Sequence, residues 1–214
     1  MAGRAAEAAR DDDSGRLFGP TALTVRKASG DYLARHGRGY SRFEHTRAEI
    51  ALDLLQFVPG DEPVKVSRLR IRNLSGRTRH LTLTAYVEWV LGTSRSSTAP
   101  FVATEIDPVT GGMLARNLWG GTETRVAFTD LGGLQTAWTG NRMEFIGRNG
   151  TLERPAALSA GAKLSGRTGA GLDPCGALQT SVVLAAHSSV ELVWLLGEAG
   201  TTQAAQAMIA RWRG

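Results

Sequence analysis

The sequence is poor in cysteine and in long apolar runs. Cys175 is its only cysteine, which excludes an internal disulfide and a multi-cysteine metal site. No apolar run approaches the ~20 residues of a membrane-spanning helix, and residues 1–15 lack the apolar stretch of a secretory signal. We therefore expect a soluble cytoplasmic protein in which Cys175 is a buried structural thiol. Association with the inner membrane is expected only through a parent protein.

Recognisable catalytic motifs are also missing. The sequence has no Gly-x-Ser-x-Gly elbow, no phosphate-cradling P-loop and no His-Glu-x-x-His motif. Its four histidines, at positions 36, 45, 80 and 187, are too dispersed to predict a metal site. Glu105 and Asp107 leave open a pair of acid–base carboxylates, but Pro108 and the glycine turn after them favour a solvated strand end. We predict no catalytic residue, no metal and no cofactor.

The charge of the chain is basic but dispersed. Lys and Arg number 25 against 20 Asp and Glu, for a net charge of +5 and a pI of about 10.0. The arginines are interleaved with carboxylates, whereas a nucleic-acid-binding protein more often has a clustered basic stripe or an aromatic RNA motif. The pattern favours a solvated basic surface and no nucleic-acid partner.

The clearest structural pattern is an alternation of apolar and polar residues over 79–91. Apolar residues in strict period two predict a strand that is buried on one face. They are Leu81, Leu83, Ala85, Val87, Trp89 and Leu91. Polar or aromatic residues at Thr82, Thr84, Tyr86 and Glu88 take the opposite face.

Residues 63–73 are also strand-like, but their apolar pattern changes phase. Val64 and Val66 share one parity, while Leu69 and Ile71 share the other. A bulge inserts one extra residue into a strand, so a bulge near Ser67 is predicted to restore a common inward face.

Further strands are predicted by the same alternation between turns rich in Gly, Pro, Asn and Asp. They cover residues 22–26, 40–47, 50–58, 101–106, 113–116, 125–128, 134–138, 143–146, 178–184 and 190–196. Gly-Gly pairs at 111–112, 120–121 and 132–133 supply turns that need positive φ. The sequence therefore predicts an all-β protein, a large antiparallel β-sandwich in one domain.

The two ends of the chain differ from its middle. Residues 1–15 are rich in Ala and Asp, so we expect a flexible N-terminal segment before a sandwich over 16–199. Residues 200–214 predict a short C-terminal helix, which Thr201 or Thr202 can cap. Its apolar residues recur at helical spacing at Ala205, Met208, Ile209 and Trp212. With little of the sandwich expected against it, this helix is predicted to be a linker toward a missing domain.

The segment 35–45 concentrates side chains suited to a ligand around two glycines. Glycine lets the backbone approach a ligand closely, and Arg with Tyr is frequent in sugar and phosphate sites. The candidate substrate-binding residues here are His36, Arg38, Tyr40, Arg42 and Glu44. The alternative is an edge strand whose polar side faces water, with His45 as a hydrogen-bonded core histidine beside Phe43.

Trp119 completes the set of candidate substrate-binding residues. It precedes Gly120 and Gly121 in a predicted loop, where an indole face can stack on a sugar ring. Trp89 and Trp194 lie within apolar strands, and we expect both in the core.

Six stretches of the sequence resemble one known family. They are GRLFGPT at 15–21, HGRGYSRFEH at 36–45, VSRLRIRNLSGR at 66–77, YVEWVLG at 86–92, EFIGRNG at 144–150 and GLDPC at 171–175. In this order they resemble the β-sandwich domain of glycoside hydrolase family 94. The resemblance runs from about residue 11 to the end, and it is strongest to cyclic β-1,2-glucan synthases and cellobiose phosphorylase-like proteins.

The resemblance implies a large antiparallel supersandwich, followed by a linker helix and an (α/α)₆ barrel. In such enzymes the barrel holds the general-acid aspartate, and inorganic phosphate attacks the anomeric carbon with inversion. The sandwich helps to shape the rim of the active site and the homodimer. Of the family's functional residues, the resemblance places only a contact at the rim of the active site on this sequence, in the loop from His36 to Tyr40.

This sequence departs from the family pattern at both ends. The strands that normally precede residues 11–15 are missing, which puts the completeness of the sheet in doubt and leaves an edge that favours association. The chain also stops at Arg211-Trp212-Arg213, before the barrel that would supply the catalytic acid. We therefore expect no phosphorolysis by this chain alone.

Three functional hypotheses follow. The first is a non-catalytic module or fragment of a β-glucan phosphorylase or cyclic β-1,2-glucan synthase. Its expected partners are a β-glucan oligosaccharide, the catalytic barrel of the parent enzyme and a second copy in a homodimer. The second is an autonomous carbohydrate-binding protein that uses Trp119 and the segment 35–45. The third is basic nucleic-acid binding, which would be steeply salt-dependent.

Overall fold

A computed structural model describes residues 2–22, 31–119 and 125–213. Its strands are β1 (Ala2–Asp11), β2 (Leu17–Phe18), β3 (Tyr32–Gly37), β4 (Tyr40–Arg47), β5 (Ile50–Phe57), β6 (Val64–Asn73), β7 (Arg79–Trp89), β8 (Val102–Ile106), β9 (Met113–Asn117), β10 (Val126–Asp130), β11 (Ala137–Asn141), β12 (Pro174–Leu184) and β13 (Ser189–Ala199). Its helices are α1 (Arg95–Thr98), α2 (Arg142–Ile146) and α3 (Thr202–Arg213), with 3₁₀ turns at Ala99–Phe101 and Ala156–Leu158.

The strands form two antiparallel sheets packed as a sandwich, which confirms the predicted fold class. The smaller sheet has five strands in the order β11-β12-β7-β1-β2. The larger has eight, in the order β3-β4-β5-β6-β13-β10-β9-β8. The core lies between them, where Leu54 and Ile71 of the larger sheet share a buried cluster with Leu81 and Leu83 of the smaller one. No helix among the described residues is both long and apolar enough to cross a membrane.

Strand β7 has the alternation that its sequence predicts. Its apolar parity lies in the inter-sheet core, where Val87 and Trp89 are almost fully buried. The side chains on the opposite face of β7 are also covered at one end of the strand, because Tyr86 stacks on Phe145 of α2 with ring centroids 4.4 Å apart. The segment around α2 therefore closes the outer side of the five-stranded sheet.

Strand β6 keeps its change of phase, and the predicted bulge near Ser67 is wrong. Its pairing with β5 and with β13 runs without a shift in register. Leu69 and Ile71 point into the inter-sheet core, while Val64 and Val66 join a second cluster with Ile209 of α3. One strand thus serves two cores, one on each face of the eight-stranded sheet.

Helix α3 packs on the sandwich, contrary to the expectation that little lies against it. Thr201 caps it, accepting a hydrogen bond from the Ala204 backbone N–H at 3.1 Å. Ala205 and Ile209 are fully buried against Phe128 and Leu195 of β10 and β13. The helix is therefore an integral part of the domain core.

The N-terminal segment is also more ordered than the sequence predicts. Ala2–Asp11 form β1, which pairs with β7 along its length and with β2 at its end. Ala8 and Ala9 are buried there. Small side chains suffice because β1 gains its burial from neighbours on both sides.

Two predicted strands differ from the structure. Residues 143–146 lie in α2, whose N-cap Asn141 accepts from the Met143 backbone N–H, and not in a strand. The strand predicted at 134–138 begins later, as β11 at Ala137. Most of the strand predicted at 22–26 and the glycine turn at 120–121 lie outside the described residues.

Candidate functional site

The outward side of β3, β4, β5, β6 and the start of β13 forms an uncovered surface, which we call the open face. Arg35 lies opposite Arg42, Arg42 opposite Leu55, and Leu55 opposite Arg68 across successive strands. Side chains at directly opposed positions share a face. This row therefore places three arginines and a leucine side by side.

A second row of charges runs parallel to the first. Glu44 lies opposite Asp53, Asp53 opposite Arg70, and Arg70 opposite Glu191. A hollow of about 540 Å³ lies over both rows, and Tyr40 and Leu55 are its apolar lining residues. A second hollow of about 360 Å³ adjoins it around Glu44 and Arg72.

Ion pairs hold the carboxylates of the open face. Arg42 donates from Nε to Asp53 Oδ1 at 2.8 Å and from Nη2 to Oδ2 at 2.5 Å, a fork that also raises the pKa of Arg42. Arg35 donates to Glu44 at 2.5 Å. Arg68 Nη2 donates to Glu191 at 2.5 Å. The acids of this face are therefore structural partners of arginines.

Two further arginines of the open face stay available. Within the described ranges, Arg70 and Arg72 have no carboxylate within 4.0 Å, and both are exposed. Tyr40, which lines the first hollow together with Arg70, is 48% exposed. An aromatic ring with free guanidinium donors can bind a hydroxyl-rich or anionic ligand, because the ring offers an apolar face and the guanidinium offers directed N–H groups.

The structure brings together three of the predicted site residues. Tyr40, Arg42 and Glu44 all lie on the open face, whereas Arg38 occupies the exposed turn between β3 and β4. His36 has the opposite parity: its Nδ1 lies 2.9 Å from Ser41 Oγ, and its ring meets the edge of Phe43. The predicted cluster is therefore divided between two sides of one hairpin.

Trp119 lies apart from the other candidates. It follows β9, near the edge of the eight-stranded sheet opposite to β3 and β4. Five strand spacings of about 4.8 Å separate β4 from β9, or roughly 24 Å. The indole is 67% exposed and rests against Phe101 at 4.4 Å between ring centroids. Trp119 and Tyr40 therefore belong to different surfaces.

The expected core residues are confirmed. His45 is buried, with its Nδ1 3.1 Å from the Asp31 carbonyl and its ring stacked on Tyr32. Trp89, Trp194 and Cys175 are buried as well. None of the four lies in the hollows of the open face.

The carboxylates Glu105 and Asp107 have separate structural partners. Glu105 pairs with Arg116 on β9. Asp107 is buried, which departs from a solvated strand end, and it accepts hydrogen bonds from the Thr110 hydroxyl at 2.6 Å and from Gln206 at 2.8 Å. Burial opposes its ionisation, but these hydrogen bonds outweigh burial and lower the pKa of Asp107. No group of three or more potential metal ligands occurs in the described part of the chain.

Sequence reasoning missed part of the open face. Asp53, Arg68, Arg70 and Glu191 come from strands that are distant in sequence from 35–45. The period-two arginines of β6, Arg68, Arg70 and Arg72, were a visible signal of a polar outward face. What the sequence could not supply was the pairing that brings β4, β5 and β6 together.

Similarity to known proteins agrees with this fold. The family model for the glycosyl hydrolase 94 supersandwich domain matches residues 9–214. The chain is 37% identical over 205 residues to the cyclic beta-(1,2)-glucan synthase NdvB of Rhizobium meliloti, covering 95% of this chain and 7% of that protein. It is 24% identical over 195 residues to the N,N'-diacetylchitobiose phosphorylase of Vibrio proteolyticus, covering 88% of this chain and 24% of that protein.

A solved structure shows the same fold at low identity. A bacterial glucoamylase complexed with acarbose aligns with a TM-score of 0.58 at 8% identity, over 100% of this chain and 29% of that chain. The chain thus spans less than a third of the length of each of these proteins. The family match and the sandwich confirm the resemblance drawn from the sequence motifs, and the chain belongs to the glycosyl hydrolase 94 supersandwich domain family.

Proposed function

We propose that this chain is a non-catalytic, carbohydrate-associated module of a larger β-glucan phosphorylase or cyclic β-1,2-glucan synthase. In that role it shapes the glucan site and contributes a dimer contact. The proposal includes a cytoplasmic location, with any membrane association supplied by the larger protein. Support comes from the family and from relatives that act on or make glycosides and are much longer than this chain.

One observation carries the non-catalytic role. Cleavage of a glycosidic bond needs a carboxyl group that is placed to protonate the leaving oxygen. On the open face, Glu44, Asp53 and Glu191 are each engaged by an arginine. Because each of these carboxylates accepts hydrogen bonds from an arginine, none is placed to act on a leaving oxygen, and we take this surface to be suited to binding.

The open face is our candidate contact for a glucan. Tyr40 offers a ring for stacking, Leu55 an apolar floor, and Arg70 free donors for hydroxyl groups. A saccharide on this surface would lie beside α3, because Phe57 of β5 meets Trp212 of that helix. The barrel that we propose to follow α3 would thus begin near the same surface.

The edge strand β3 is our candidate dimer contact. It pairs on one side with β4 and ends the eight-stranded sheet among the described strands. Leu33 on it is 45% exposed. An open edge with an exposed apolar side chain favours strand addition by a second copy. Sedimentation velocity should show a dimer that Leu33→Lys weakens, and a monomer at every wild-type concentration would contradict this contact.

Turnover by the isolated chain tests the non-catalytic role. The purified protein is incubated with β-1,2-gluco-oligosaccharides or cello-oligosaccharides and phosphate, and glucose 1-phosphate is measured. We expect no release above the protein-free blank, while a full-length family phosphorylase serves as the positive control. Phosphate-dependent release by this chain would overturn the proposal.

Calorimetric titration of the same oligosaccharides tests the proposed contact. We expect weak binding that Tyr40→Ala reduces by roughly tenfold, since a stacked ring contributes about 1–1.5 kcal/mol. Val183→Ala is the control, because Val183 is also exposed, at 68%, but lies on β12 of the other sheet. Equal loss in both variants would argue against a site on the open face.

A second candidate function is that of an autonomous carbohydrate-binding protein. The observation that favours it is the exposed indole of Trp119 on Phe101, an aromatic surface separate from the open face. If this surface binds the sugar, Trp119→Ala abolishes calorimetric binding and Tyr40→Ala leaves it unchanged. The opposite result supports the module hypothesis.

A further inference from the structure

Three arginines from three separate loops converge on one hollow of about 610 Å³. Arg16 lies in the turn between β1 and β2, Arg47 ends β4, and Arg154 lies in the turn after α2. Leu158, at the end of the 3₁₀ turn Ala156–Leu158, and Ser159 directly after it complete the wall of the hollow. We call this the three-arginine hollow. It lies at the opposite end of β4 from Tyr40, about 23 Å away at 3.3 Å per residue.

The described lining of this hollow contains no acidic residue. Within the described ranges, Arg16, Arg47 and Arg154 have no carboxylate within 4.0 Å, whereas Arg42 and Arg68 of the open face are paired. This concentration of unpaired positive charge is destabilising unless water or an anion compensates it.

The nearest acids of the β1–β2 turn are already engaged elsewhere. Asp12 accepts hydrogen bonds from Arg10 and from the Thr82 hydroxyl. Asp13 lies within 4.0 Å of His80 and Arg77. Neither acid lines the hollow. The positive charge of Arg16 is therefore left directed at the hollow without a protein counter-ion.

A buried ion pair fixes two of the three loops. Asp11 Oδ2 accepts from Arg79 Nη1 at 2.5 Å, and both side chains are almost fully buried. Asp11 also holds the turn that contains Arg16, because its backbone N–H donates to the Arg16 carbonyl at 2.8 Å. Arg79 Nη2 donates to the Ala48 carbonyl at 2.6 Å, directly after Arg47. One buried pair therefore positions both loops.

The turn beside Arg47 also has an unusual backbone. Ala48 and Glu49 have φ of 47° and 63°, in the left-handed region that Gly, Asn and Asp prefer in such two-residue hairpin turns. The contact from Arg79 to Ala48 holds this conformation. Non-glycine residues kept in this region are more frequent at ligand-binding sites.

The third loop is tied to the same strand. Arg10 Nη1 donates a short hydrogen bond to the Ser159 carbonyl, and Leu158 packs on Ala8. Arg10 and Asp11 are consecutive residues of β1. Strand β1 therefore positions all three walls of the hollow, so that the site is formed before any ligand arrives.

We propose that the three-arginine hollow binds a phosphate group, either inorganic phosphate or a phosphate monoester. Guanidinium groups donate in pairs to tetrahedral oxyanions, and several of them around one hollow favour a dianion over chloride or acetate. This site goes beyond the proposed module role and does not depend on glucan binding. A phosphate ligand would bridge β1, β4 and the loop after α2, and so connect the two sheets.

The test is calorimetric titration of the full chain at constant ionic strength. Inorganic phosphate and glucose 6-phosphate are the two probes, and sodium acetate is the monovalent control. We expect saturable binding of at least one phosphate probe and none of acetate. Tighter binding of inorganic phosphate identifies the free ion as the ligand, and tighter binding of the ester identifies a monoester.

Variants locate the site. Arg47→Gln and Arg154→Gln should each weaken phosphate binding by about tenfold or more, because each removes a charge-assisted hydrogen bond. Arg125→Gln is the control, since Arg125 is an exposed arginine that pairs with Glu198 outside the hollow. The proposal is overturned if neither phosphate probe binds, if acetate binds as well, or if Arg125→Gln weakens binding equally. Circular dichroism on each variant confirms that it is folded.

Discussion

Arg213 near the end of α3 forms a two-pronged ion pair with Asp130 at the end of β10. Its Nε donates to Asp130 Oδ2 at 2.9 Å and its Nη2 to Oδ1 at 2.5 Å. The Asp130 side chain is fully buried, and the hydrogen bonds to it raise the pKa of Arg213. Gln206 of the same helix also donates to Asp107. Polar contacts therefore reinforce the apolar face of α3.

Arg213→Met should destabilise the domain by about 2–4 kcal/mol. The substitution leaves a buried carboxylate without its partner, and breaking a buried pair costs about 3–5 kcal/mol; partial exposure of Arg213 reduces the cost. Urea unfolding followed by circular dichroism measures it. Arg211→Met is the matched control, because Arg211 is 65% exposed in its pair with Glu62, and a loss below about 1 kcal/mol is expected. Equal effects would mean that α3 is not anchored through Asp130.

The buried pair of Asp11 and Arg79 predicts a dependence of stability on acid. Burial alone would raise the pKa of Asp11, but hydrogen bonds from Ser14 and the Asp13 N–H, and the charge of Arg79, lower it below 3.8. The folded state thus binds this proton more weakly than the unfolded state. The contribution of Asp11 is present above about pH 3.8 and is lost as the pH falls through the folded pKa.

Asp11→Asn should therefore lower stability at pH 7 by roughly 3 kcal/mol and should flatten the loss of stability below pH 4. Unfolding midpoints measured between pH 3 and pH 7 give both quantities. Asp61→Asn removes an exposed carboxylate and is the control. We expect it to change neither the stability at pH 7 nor the loss of stability below pH 4. A wild-type acid profile retained in Asp11→Asn would contradict the assignment.

How far the sequence predicted the fold depends on where each strand obtains its burial. Strand β7 was predicted because its own apolar residues fill the core. Strand β1 was missed because alanines have low strand propensity, and its place is set by its neighbours β7 and β2. The run at 143–146 was assigned to a strand because short apolar runs do not distinguish strand from helix. The N-cap at Asn141 stabilises the helix at these residues.

The candidate site was also predictable only where a local pattern determines it. Tyr40, Arg42 and Glu44 share a face because strand parity is a local property, and the sequence predicted it. The separation of Trp119 from them follows from the sheet order, in which five strand spacings separate β4 and β9. That order is set by contacts between residues far apart in the chain, for which a single sequence has no local signal.

Glu7 on β1 provides the opposite pH effect. Its carboxylate accepts from Gln56 Nε2 at 2.8 Å, but desolvation by burial dominates and raises its pKa above 4.5. The folded state therefore favours the protonated form. The contribution of Glu7 to the free energy of unfolding is fully present below about pH 4.5 and is lost as the pH rises through the folded pKa.

Glu7→Gln should raise the unfolding midpoint at pH 7 and lose that advantage at pH 4. The amide keeps the size of the side chain and an oxygen for Gln56, but it needs no desolvation of a charge. Glu191→Gln is the control, because Glu191 is 44% exposed in its pair with Arg68. A lower midpoint for Glu7→Gln at pH 7 would show that the ionised carboxylate stabilises the fold.

Cys175 on β12 should be inert toward thiol reagents in the folded protein. Its side chain is fully buried and its Sγ donates to the Thr139 carbonyl at 3.7 Å. Burial raises the pKa of the thiol, so almost no reactive thiolate exists at pH 8. Val183→Cys on the same strand supplies a matched exposed thiol, since Val183 is 68% exposed.

Reaction with a chromogenic disulfide reagent separates the two thiols. In Val183→Cys one thiol should react within seconds, and the second should react at least about a hundredfold more slowly, at the rate at which the segment around α2 opens. Wild-type protein should show only the slow phase, which accelerates in urea. Cys175 shares a buried cluster with Phe145 and Ile146 of α2 on the outer side of the five-stranded sheet, so this slow rate measures the opening of the segment around α2. A fast phase in the wild type would mean that the segment around α2 does not protect Cys175.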